Sequence, residues 1–267
     1  MILKSISEGI KFAFSLNVII PYIVLYLITF YVMIGLFSTL LNFMPLGTGG
    51  LRALLSLGIY LPFFIIIGLA YLWIHGAIID QAKYYPRRKP LAKSFEYSTS
   101  RYLTMLCAAT LFGIIMVIIS SPPYIGPLLS FVLGLMLFYL YPSIIVDKKR
   151  CIESFKKSFN TFMKYPLETF VTWLLTIVLS LIIVGIFALP LIIFVFANLT
   201  GMPNLPTAAG VEQQTMLKSL LPGISNAVHS PYFIIYLFIF CVGLAINSSF
   251  EMGTRTRLYI NTRRAET

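Results

Sequence analysis

Charge is what this chain has little of. Only 11% of its 267 residues are Asp, Glu, Lys or Arg, while 58% are hydrophobic. A soluble domain carries about twice that share of charge. Acids are scarcest, nine against twenty cations. The longest polar stretch between apolar runs is residues 198–230, shorter than the ~50 residues a soluble domain needs. Histidine is confined to His75 and His229, and cysteine to Cys107, Cys151 and Cys241. Three scattered cysteines make no disulfide framework, and none has a His or Cys neighbour at metal-ligand spacing. They read as small packing residues. No zinc-protease helix, G-x-S-x-G elbow or P-loop occurs. No cofactor, metal or catalytic residue is therefore expected.

Long apolar runs are what is there. Six stand at about 18–44, 53–79, 103–120, 125–146, 167–197 and 231–250, each long enough to cross a bilayer as a helix. The first is too long for a signal peptide and has no small-residue cleavage site after it, so it reads as an uncleaved span. "PLGTGG" at 45–50 and "SSPPYIGP" at 120–127 are turn sequences. The fold expected is all-α: a polytopic membrane protein in which residues 1–267 form a single membrane domain.

The cations fix an orientation. Eighteen of the twenty flank the runs on one side, and only Arg52 and Lys218 fall on the other. The positive-inside rule then places both termini in the cytoplasm, the loop 198–230 outside, and the chain in the cell membrane. The net charge of +11 becomes a cytoplasmic-face charge that attracts anionic headgroups. Nucleic acid is not an expected partner, since the cations are not interleaved with aromatic residues in a groove.

"CIESFKKSFNTFMKYP", residues 151–166, puts Ile152, Phe155, Phe159 and Phe162 on one helical face and Glu153, Lys156, Lys157 and Asn160 on the other. That pattern suits a helix lying in the membrane interface. "ISEGIKFAFSLNVIIP" at 6–21 and "LAKSFEYSTSRYLTML" at 91–106 follow it in register, the latter without the final proline. Small pairs recur in register as Gly9/Ala13, Ser94/Ser98 and Ser154/Ser158, a spacing that admits close helix approach. The spans end on acids: "HGAIID" at Asp80, "PSIIVD" at Asp147 and "NSSFE" at Glu251. Three parallel hairpin repeats are expected, about 1–80, 91–147 and 151–251. Each has a cytoplasmic-side interfacial helix, with Pro21 and Pro166 breaking two of them from their spans.

"YPSIIVDKKRCIESFKKSFNTFMKYPLETF", residues 141–170, resembles the signature of the glycerophosphoryl diester phosphodiesterase membrane-domain family and its uncharacterised relatives. Pro142, Asp147, Ser154, Phe155, Ser158 and Phe159 hold the places of the proline, the acid and the Ser–aromatic steps. The resemblance implies a helical membrane domain and no phosphodiesterase, because no polar segment is long enough for the catalytic barrel that some members carry.

The acids Asp80, Asp147 and Glu251 are the first candidates for a functional or structural role. Lys148, Lys149, Arg150, Lys156, Lys157, Arg87, Arg88 and Lys89 are candidate inner-leaflet contacts. His75, Asn247 and Ser248 are further candidates, His75 as an interfacial residue satisfied by backbone or headgroup. Its spacing from Asp80, i to i+5, suits no dyad. The function expected is non-catalytic: organising or carrying lipid-like or amphiphilic molecules, with membrane lipids and their anionic headgroups as partners and a protein partner in prospect. The alternatives are a transporter or permease for a small apolar substrate, and then an intramembrane enzyme.

Overall fold

The computed structural model describes residues 1–43, 49–87, 89–200 and 230–265. The loop beyond residue 200, Arg88 and His229 lie outside the described residues. Every regular element among the described residues is helical: α1 (Ile2–Ala13), α2 (Leu16–Phe43), α3 (Gly49–Tyr84), α4 (Leu91–Ser120), α5 (Gly126–Met136), α6 (Leu140–Val146), α7 (Cys151–Lys164), α8 (Pro166–Thr200) and α9 (Pro231–Arg264). Among the described residues, six segments are long and apolar enough to cross a membrane: Leu16–Thr39, Gly58–Tyr84, Leu91–Ser120, Gly126–Val146, Pro166–Asn198 and Pro231–Arg264.

The core is concentrated at one end. Phe12, Tyr22, Ile78, Ile79, Met105, Leu140, Ile144, Phe250 and Leu258 are almost fully buried there. Farther along the spans, Ile65, Val117, Ile118, Ile186, Ile193 and Ile234 stay exposed, the hydrocarbon-facing surface expected of membrane helices. Helix α9 packs against α1, α2, α3, α6 and α8, while α8 rests mainly on α9. The buried end also gathers both termini: Asn261 of α9 donates to Ser5 of α1 at 2.9 Å. Lys83, Arg87, Lys89, Lys148, Arg257 and Arg263 cluster around it, so we call it the basic end.

The small residues let helices approach there. A Cβ on Gly9 would collide with Thr254, and one on Gly253 with Phe12, so α1 and α9 are notched into each other. Likewise Gly76 of α3 leaves room for Ser98 of α4, whose hydroxyl donates to Trp73 O at 2.7 Å. Ser154 and Ser158 of α7 are fully buried against α5 and α6.

Four sequence expectations need correction. The segment 91–102 is not a separate helix, because α4 runs unbroken from Leu91 to Ser120. The proline that follows the other two amphipathic segments is missing there. Pro21 does not break its helix either. It lies inside α2, and the joint between α1 and α2 falls at Phe14–Ser15. Pro166 does mark a joint, as the first residue of α8, where its missing N–H has no intrahelical partner to lose.

Third, the span 125–146 is discontinuous. It divides at Leu137–Tyr139 into α5 and α6. The ring of Pro142 would clash with the carbonyl four residues back, that of Phe138. Ser158 enters the gap, donating to Met136 O at 2.9 Å and accepting from Tyr139 N–H at 3.1 Å. Fourth, Cys107 and Cys151 are not mere packing residues. They form a disulfide between α4 and the first residue of α7, with Cα atoms 6.0 Å apart. Cys241 is free and buried.

Candidate functional site

Two of the three acids, Asp80 and Asp147, tether parts of the basic end. Asp80 stands one turn before the end of α3 and is almost completely buried. It forms an ion pair with Lys89 from the linker to α4. Gln81 holds that linker by donating to Lys89 O at 3.0 Å and to Ser94 Oγ at 2.9 Å. Lys89 also lies 4.9 Å from the ring of Tyr84 and 5.3 Å from that of Tyr97. Asp147 terminates α6 and ties it to α9: its two oxygens accept from Tyr259 OH and from Arg263, each at 2.6 Å. The next residue, Lys148, has φ 57°, the left-handed geometry that ends a helix.

Glu251 does not end a span as the sequence reading had it. Helix α9 continues to Arg264, which leaves Glu251 thirteen residues before the end of its helix. Its partners are Asn247 at 3.2 Å, Arg255 at 3.3 Å and Ser180 of α8 at 3.3 Å. Through Ser180 it ties α9 to α8.

His75, Asn247 and Ser248 belong to this interior cluster. His75 is buried, and its Nδ1 is hydrogen-bonded to Tyr22 OH at 2.9 Å. That replaces the expected backbone or headgroup partner. The ring of Tyr71 lies 4.4 Å from it. Ser248 Oγ meets Tyr26 OH at 2.6 Å. Arg255 stacks over Phe138, in the gap of the fourth span, at 4.9 Å. Asn247 Oδ1 and Arg255 Nε are buried atoms without a hydrogen-bond partner. Sequence reasoning missed Tyr22, Tyr26, Tyr71 and Arg255, and Tyr141, whose ring lies 6.4 Å from that of His75. The signal was the i, i+4 spacing of Tyr22 with Tyr26 and of Tyr71 with His75, which places polar tips on one face of an apolar helix.

The candidate cationic contacts stay on the outside of the basic end. Arg87, Lys148, Arg150 and Lys156 are exposed, and Lys89, Lys149 and Lys157 are half-buried. A second buried tether, missed in the sequence, joins Arg257 of α9 to Glu8 of α1 at 3.6 Å. Two cavities open at this end. One of about 420 Å³ lies between the α1–α2 joint and the α3–α4 linker. The other, of about 390 Å³, is bounded by Lys83, Val146, Ile260, Arg263 and Arg264. Among the described residues, no three of His, Cys, Asp and Glu stand together as metal ligands.

Compared with family models, curated proteins and solved structures, the chain matches none. The resemblance read in residues 141–170 rests on those residues alone.

Proposed function

We propose that this protein is a non-catalytic integral membrane protein that organises or carries amphiphilic molecules, by itself or as a subunit beside a partner. The observation that carries this reading is the two-faced character of α1 and α7. Each turns small or polar residues to the protein: Ser5, Gly9 and Ala13 in one, Ser154, Ser158 and Thr161 in the other. Each leaves large apolar residues uncovered beside lysines: Leu3, Ile10 and Phe14 with Lys4 and Lys11, and Ile152, Phe159 and Met163 with Lys156. Such faces suit the boundary between headgroups and acyl chains. In this reading the basic end is cytoplasmic and sits in the inner leaflet.

Spin labels at Leu3, Phe14, Ile152 and Phe159, read in bilayer discs by oxygen and nickel accessibility, test it. The labels should report a common depth just below the phosphates. Labels as accessible to nickel as a soluble surface, or shielded from both reagents, would remove the basis of the reading.

One observation favours a transporter as the second reading. The discontinuous fourth span meets the Glu251–Arg255 pair, and broken spans and intramembrane ionisable residues both accompany substrate paths. An engineered Asn247→Cys that reacts with impermeant reagents from each side in turn would support it. Reaction from neither side would count against it.

A further inference from the structure

We infer that the cavity between the α1–α2 joint and the α3–α4 linker holds the phosphate-bearing headgroup of an anionic lipid. This rests on the amphiphile reading above and gives it a place and a ligand class. The cavity, about 420 Å³, is bounded by Lys11, Arg87 and Lys89 on its charged side and by Phe14, Leu16 and Val18 on its apolar side.

The charge there has a surplus. Lys89 is neutralised by Asp80, but no ion pair among the described residues involves Lys11 or Arg87. Glu8, the acid one turn before Lys11, is engaged by Arg257. Two uncompensated cations therefore converge on one cavity from separate segments of chain. Ser15, Leu16 and Asn17 at the start of α2 also line it. The first N–H groups of a helix have no partner within it and favour negative charge.

The apolar side decides between a soluble anion and a lipid. Phe14 and Leu16 are largely exposed, at 62% and 72%, at the rim of a cationic cavity. A free phosphate has no apolar part to set against those side chains. A phospholipid would set its phosphate against Lys11 and Arg87 and run its chains along Phe14, Leu16 and the outer face of α2, where Ile20 and Val24 are also exposed. The second cavity offers a weaker case, because Arg263 is already engaged by Asp147.

The test uses the full-length protein in bilayer discs with spin-labelled phosphatidic acid or phosphatidylcholine, and measures the motionally restricted fraction of each. The wild type should prefer phosphatidic acid. Lys11→Glu with Arg87→Glu should reduce that preference roughly fivefold or more, from the loss of two near-surface cations. Lys93→Glu with Lys164→Glu, an equal change in net charge at two exposed cations that do not line the cavity, should keep most of it. If the double reversal fails to fold, Arg87→Gln alone should still lower the preference.

Equal loss in both double variants would mean that the whole basic end, not this cavity, attracts the lipid, and the inference would fall while the amphiphile reading stood. Displacement of the labelled lipid by millimolar inorganic phosphate would make the cavity a soluble-anion site and overturn the inference too. No preference in the wild type would overturn the inference and leave the amphiphile reading to the depth measurement above.

Discussion

At the scale of single residues, the polar side chains divide into tethers and an interior cluster. Asp147 is a tether: it gives two charge-assisted hydrogen bonds across the α6–α9 contact. Asp147→Asn should lower thermal stability in detergent by about 1–3 kcal/mol while leaving insertion intact. Tyr259→Phe, which removes only one of the two bonds, should cost less than Asp147→Asn. Thermal unfolding of the two variants side by side checks the order. Stability unchanged in Asp147→Asn, with loss in a lipid-binding assay, would make the acid a binding group instead. In the interior, Tyr22→Phe strands His75 Nδ1 and should cost about 0.5–2 kcal/mol, the range for hydrogen bonds between membrane helices.

The acids themselves were legible in the sequence, because nine carboxylates in so apolar a chain are conspicuous. Their partners were not. Asp147 meets residues more than a hundred positions away, and Glu251 was misplaced because the polar sequence after residue 250 hid the continuation of α9. Its register is helical all the same: Arg255, Tyr259 and Arg263 follow Glu251 at four-residue steps.

At the scale of elements, the joints between helices carry the individuality of the fold. Four prolines, Pro21, Pro62, Pro142 and Pro190, lie inside helices or apolar runs, yet only Pro142 accompanies a break. What distinguishes it is Ser158, which satisfies the carbonyl and the N–H that the break exposes. Apolar periodicity could not show this, because the satisfying hydroxyl comes from another helix. Ser158→Ala should cost about 1–3 kcal/mol by stranding two buried backbone groups. Ser154→Ala should cost less, since that hydroxyl bonds back to Cys151 O within its own helix. Equal effects, measured by thermal unfolding, would show that the gap is not held open by Ser158.

The contact of α1 with α9 is equally specific. Gly9→Val would drive two methyl groups into Thr254, and overpacking of this kind costs about 1–3 kcal/mol. The expected result is a mobile α1 on a bundle that still inserts, seen as increased motion of a spin label at Leu3. Of the three amphipathic segments, α7 parts from its span at the expected Pro166, while α1 parts from its span at Phe14–Ser15 and not at Pro21. The sequence reading failed for 91–102, which α4 carries into its span without a joint. The Cys107–Cys151 bond was invisible for a simpler reason: its partners are 44 residues apart on different helices.

At the scale of the molecule, six apolar segments form a bundle that is tightly packed at one end and open to hydrocarbon along the rest. That asymmetry was legible in outline, since the sequence reading sets eighteen of the twenty cations at one end of the apolar runs. The concentration of the buried core beneath those cations was not, because it depends on which small residues of α1, α4 and α7 meet which spans. The result is a tightly packed basic end that presents apolar side chains together with Lys11 and Arg87, while Asp80, Asp147 and Glu8 hold its frame. On the reading proposed above, a surface of that composition suits a molecule with an anionic head and an apolar tail. The most direct test is native mass spectrometry of the protein extracted with its surrounding lipid in polymer discs. The account predicts that a phosphate-bearing anionic lipid stays bound after the bulk lipid is stripped, enriched over its share of the membrane. A stripped protein that retains no lipid, or only lipid in the proportions of the membrane, would contradict it.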